Sequence, residues 1–113
     1  MSRMLSACTF SAVMIATASA QTMSPGRNAL ATQAYMRAMQ DMDDVMKSMT
    51  PSGDPNTDFV MIMVPHHQAA VDMAEAYLKY GKDPLLTQMA KNIIASQKKE
   101  IKEMTAWQAK HRM

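Results

Sequence analysis

Two adjacent histidines, His66 and His67, sit between methionines at Met63 and Met73 in a stretch whose apolar spacing is helical. Imidazole and thioether together make the donor set of a soft or borderline metal, copper above all. A helix turns about 100° per residue, so Met63, His66 and Met73 share a face, with Ala70 between them. His67 is offset by about 100° and shares its stripe with Met63, four residues back. Cu(I) prefers thioethers with an imidazole, and Cu(II) prefers imidazole with carboxylate. Glu100 and Asp58 supply carboxylates, so either oxidation state has donors, and silver stands beside Cu(I) as a candidate. Thioethers carry no proton, whereas a histidine must lose one to ligate, so a His-bound metal weakens below about pH 6.

Helices must bring these donors together. From about Asn28, Tyr35, Met39, Met42, Met46 and Met49 recur at spacings of four and three, which predicts a helix with one continuous apolar face. Thr50 to Pro55 is a turn by composition, with Asp54 as N-cap and Pro55 at the first helical position. A second helix follows to Tyr80. Pro65 inside it removes a backbone donor and frees the carbonyl of Met61, so a kink is expected there. Gly81 closes that helix, and Asp83-Pro84 opens a third whose inner face runs through Leu86, Met89, Ile93, Gln97, Ile101 and Met104 to about residue 110. The expected fold is all-α: an antiparallel up-down bundle of three long helices, related to four-helix bundles and open to completion by a second copy.

Mirroring the chain about its turns gives a rough register. About Lys82, His66 and His67 fall opposite Gln97 and Lys98, and Met63 opposite Ile101, with Glu100 and Met104 within a turn. About Ser52, His66 falls opposite Met39 and Met63 opposite Met42. One level of the bundle thus gathers His66, His67, Met63, Met39, Met42 and Met104 as metal donors, with Met73 on the same stripe. Glu100 and Gln97 are read first as partners that orient an imidazole. Asp58 is read first as a first-turn acid favoured by the helix dipole, with ligation as its minor role. The bland readings stand beside these. A methionine stripe at helical spacing also makes a core, and Met46 and Met49 are read that way. Trp107 reads as a core anchor, and His111 and Met113 as a solvent-facing end.

Fifteen methionines in 113 residues is the strongest compositional fact, and aromatics are only 5%. The core must therefore be aliphatic residues and methionine, a side chain that fills irregular gaps. A net charge of +2 gives no footprint for nucleic acid. Residues 1–20 read as a secretory signal peptide, with Arg3, an apolar run from Met4 to Ala16 and cleavage after Ala20, which implies a periplasmic or secreted protein. Residues 21–27 read as a flexible leader and 28–112 as one domain. The single cysteine, Cys8, would leave with the signal, so soft-metal chemistry falls to Met and His. No other apolar run reaches the ~20 residues of a membrane span.

Asp58-Phe59, Met63-Val64-Pro65-His66-His67-Gln68 and Met73-Ala74, followed by Gln97 to Met104 and Trp107, resemble the DUF305 family of small helical copper-binding proteins. That family includes periplasmic copper-resistance proteins. The likeness covers about residues 30–110. At Asn56 the sequence departs from it, since many members carry a further Asp there. The resemblance implies an exported copper-binding protein that contributes to copper tolerance, with a copper-delivery or efflux protein as its partner. Two other classes remain open. One is a helical interaction module whose methionine face binds a partner or a second copy. The other is a copper-dependent redox enzyme, which would need an open coordination position. No nucleophile stands beside a base in the sequence, and no Glu-x-x-His pair supports a di-iron site. A non-enzyme is expected.

Overall fold

Aspartate followed by proline sets where two of the three helices begin. Asp54 caps α2 (Pro55–Tyr80), its carboxylate accepting from the Thr57 N–H at 2.9 Å. Asp83 caps α3 (Pro84–Lys110) in the same way through the Leu86 N–H, also at 2.9 Å. Each cap satisfies a helix donor that would otherwise lack a partner, and the proline behind it has no N–H to lose. This computed structural model describes residues 25–111. The expected signal peptide, its cleavage point and Met113 lie outside the described residues. α1 spans Pro25–Ser48 and also opens on a proline, so Pro25, Gly26 and Arg27 are helical rather than part of a leader. α2 runs through Pro65 as one helix. Among the described residues, none is in a strand, and no helix is long and apolar enough to cross a membrane.

Both turns are tight and hydrogen-bonded, which makes successive helices antiparallel. In the first, Gly53 takes φ 82°, a left-handed conformation that costs an L-residue roughly 1–2 kcal/mol. In the second, Gly81 has an ordinary φ of −82°, and its N–H donates to the Tyr77 carbonyl at 2.6 Å. Glycine is needed at 81 for space. A Cβ there would run into the Tyr77 ring, whose hydroxyl accepts from the Asp83 N–H at 3.0 Å. Tyr77 thus folds over the end of its own helix and fixes the start of the next.

α1 and α3 each pack on α2, and among the described residues the backbones of α1 and α3 do not come into contact with one another. The all-α bundle therefore has α2 as its middle member. Its buried apolar residues are small: Val60, Pro65, Ala69, Val71 and Ala74, joined by Ala38 of α1 and Ala90 of α3. Val71 is the most enclosed, at 1% exposure. Small side chains let backbones approach closely, and the large apolar residues are displaced outward. Leu85 is 68% exposed, Met36 65% and Phe59 59%.

Replacing Gly81 with Ala should destabilise the protein by about 1–3 kcal/mol, the usual cost of overpacking. In a Tyr77→Ala background the same substitution should cost far less. Thermal denaturation of the four variants checks this. An equal cost in both backgrounds would show that the Tyr77 contact is not the reason for glycine.

Candidate metal centre

α2 sends its two histidines to different environments because they are one residue, about 100°, apart. His67 is 8% exposed and faces α3, where its Nε2 lies 2.5 Å from Glu100 Oε2. With a neutral imidazole donating to the Glu100 carboxylate, the ring proton lies on Nε2 and Nδ1 keeps its lone pair. That is how a carboxylate commonly orients a metal-binding imidazole. His66 is exposed.

The stripe carrying His66 continues into an open groove. Ala70, Met73, Ala74 and Tyr77 of α2 form its floor, with Tyr35 of α1 on one side and Leu86, Met89, Ala90 and Ile93 of α3 on the other. Its volume is about 340 Å³. Met63 is half-buried and belongs to the same stripe, three residues before His66. Met73 is joined there by Met89, a thioether that the sequence reading placed only on the inner face of α3. Its nearness to Met73 depends on which flank of α2 holds α3, and periodicity does not carry that.

The other expected donors lie elsewhere. Met42 lines a crevice on the α1–α2 seam with Ala38, Val45, Pro65, Gln68, Ala69 and Asp72. Its neighbours Pro65 and Ala69 lie on the flank of α2 turned away from the His67–Glu100 bond. Met39 is 44% exposed on α1. Met104 lies one turn beyond Glu100, in an open groove with Asn56, Phe59, Val60, Glu103, Trp107 and His111. There Trp107 and His111 stack at 4.2 Å with 13° between planes, and the His111 Nδ1 lies 2.7 Å from the Trp107 carbonyl. His111 therefore has specific partners at the end of α3. Gln97 is half-buried one turn before Glu100. The single level expected from the mirror register is thus divided by α2 into an α3 flank, an open face and an α1 flank. Among the described residues, no three His, Cys, Asp or Glu side chains gather to hold an ion.

The family model described as a domain of unknown function, DUF305, matches residues 1–108. The chain belongs to the DUF305 family. The chain is also similar to an uncharacterized protein of Acanthamoeba polyphaga mimivirus, 43% identical over 44 residues. The match covers 39% of this chain and 29% of that relative, so the chain spans well under two thirds of the relative's length.

Asp58, a minor ligand candidate, is committed to the first turn of this DUF305 domain. Its Oδ1 accepts from the Ser52 N–H at 2.8 Å and the Ser52 hydroxyl at 2.7 Å, and its Oδ2 from the Gly53 N–H at 3.2 Å. The Ser52 hydroxyl first, then the backbone donors, holds the Asp58 carboxyl below the usual carboxylate range. The Thr57 hydroxyl does the same for Asp54. A pKa lowered on folding stabilises the native state above the unfolded carboxyl's value of about 3.9. That contribution disappears as pH falls through the lower folded value. Asp58→Asn should therefore be less stable than the parent at pH 7, with the gap closing below about pH 4. Melting curves from pH 7 to 2 check this, and a gap independent of pH would overturn it.

Proposed function

We propose that this DUF305 protein is an exported copper binder that takes Cu(I) as cargo on the open face of α2 and holds it or hands it on. The observation that carries this reading is the exposed His66 imidazole on one stripe with the Met63 and Met73 thioethers, above a groove where Met89 joins Met73. Imidazole with neutral thioethers suits Cu(I) better than Cu(II), because soft donors match the softer ion and add no negative charge to offset a second positive one. Neighbouring helices do not cover this stripe, so a cargo ion can arrive and leave without the bundle opening. His67, with its Nδ1 lone pair set by Glu100, is a further donor one residue away. In this reading Glu100 acts through His67, orienting a ligand.

Export and a contribution to copper tolerance belong to the same proposal. They rest on the signal-like residues 1–20 and on the sequence resemblance noted above. A copper-delivery or efflux protein would receive the ion, and silver would compete for the same thioethers. The exposed apolar residues beside the site, Phe59, Ile62 and Met73 among them, favour a second reading, in which this face binds a partner or a second copy.

Anaerobic Cu(I) competition against a chelator, on residues 21–113, separates the two. The parent should bind with sub-micromolar affinity, and His66→Ala should weaken it at least tenfold, about 1.4 kcal/mol. Binding unchanged in His66→Ala would remove the site from the open face. No binding by the parent would overturn the copper reading and leave the apolar face as the functional surface.

A further inference from the structure

The crevice between the end of α1 and the first turns of α2 is lined by three methionines from two helices, Met46, Met49 and Met61, with Pro51, Asp58 and Ile62. We propose that these three thioethers form a second, all-sulfur site for a soft monovalent cation, Cu(I) or Ag(I). It is separate from the His66 stripe and does not depend on it.

Local structure brings the three together. Met46 and Met49 are three apart, and Met49 follows the last helical residue, Ser48, with its N–H donating to the Met46 carbonyl at 3.2 Å. That bond continues the helical turn one residue past its end, which keeps both side chains on one face. The hydrogen-bonded turn through Ser52 and Gly53 then returns the chain so that Met61 lines the same crevice. All three are half-buried, which leaves a path for an ion but little water around it.

The donor set dictates the ion. Asp58 is the one charged group lining the crevice, and both its oxygens are occupied by Ser52 and Gly53. It contributes a negative field that favours a cation, and three hydrogen bonds already engage its two oxygens. The remaining donors are neutral sulfurs, which bind soft ions and leave hard or borderline divalent ones in water. Methionine also serves packing by filling irregular gaps, and these three border a crevice of about 160 Å³ that is partly open to solvent. Flexible thioethers around an open space are what a three-coordinate ion would need to draw inward.

Ag(I), which does not change oxidation state, is the probe. It is titrated into a His66→Ala variant of residues 21–113 labelled with ¹³C at the methionine methyls, so failure of the His66 site is read separately. The Met46, Met49 and Met61 methyl signals should shift together and saturate together. Met46→Leu/Met49→Leu/Met61→Leu, a swap that keeps volume and apolarity, should weaken that event at least tenfold while its circular dichroism stays helical. If the triple variant loses helicity, single Met→Leu variants replace it, and each should weaken Ag(I) binding. Methyl signals that stay still on adding Ag(I), or variants that bind it as tightly, would overturn the site. So would an equal response to Zn(II), which would show that the sulfurs do not select a soft ion.

Discussion

Everything in this structure depends on α2 making two helix contacts at once. Among the described residues the backbones of α1 and α3 do not meet, so each is held in place mainly through α2. A helix packed on both flanks needs small side chains on both, and Pro65 and Ala69 toward α1, with Val71 and Ala74 among its other buried residues, meet that need. Burial of residues this size yields modest apolar area, at about 25 cal/mol per Å². Polar locks therefore matter more than they would in a thicker bundle. Tyr77 over Gly81, Asp58 on Ser52 and Gly53, and His67 against Glu100 each fix a place where two helices join or face.

The same arrangement decides where chemistry is accessible. Two flanks of α2 are occupied, and one of the faces left uncovered carries His66 and Met73, with half-buried Met63 on the same stripe. The adjacent histidines divide between these environments, one enclosed against α3 and one exposed. A single histidine would serve either structure or the open face. The pair serves both, because successive helical residues point about 100° apart.

Most of the fold was legible in the sequence because it was written in local chemistry. Asp54-Pro55 and Asp83-Pro84 marked two helix starts, and Gly81 marked an end, although steric room for Tyr77 rather than a left-handed backbone is what requires glycine there. α1 begins three residues before Asn28, where its apolar periodicity starts, because Pro25 opens a helix as Pro55 and Pro84 do. The site was less legible. Mirroring about Lys82 sets His67 opposite Gln97 with Glu100 within a turn, and the bond falls on Glu100, three residues along α3. A mirror assumes that both helices leave the turn at the same height, and a turn capped by Asp83 and bonded to Tyr77 does not ensure that. Nor does periodicity reveal that α1 and α3 stay apart. It gives the faces of each helix but not the neighbours they meet, so Met42 and His67 were expected together although α2 lies between them.

Abundant methionine fits this architecture for a physical reason. A seam of alanines leaves large side chains at the margins of the helix contacts, half-covered and facing uneven spaces. Leucine would leave such spaces open at greater cost, while a thioether adapts to them. The residues best suited to the margins of a thin bundle are thus also soft metal donors, and they stand where an ion can reach them. Adaptability in packing and affinity for a soft cation come from the same atom, the unhindered polarizable sulfur. Sulfur at the edge of the α1–α2 contact and along the open face therefore couples any bound ion to the helix contacts themselves, because drawing thioethers onto an ion also pulls together the helices that carry them.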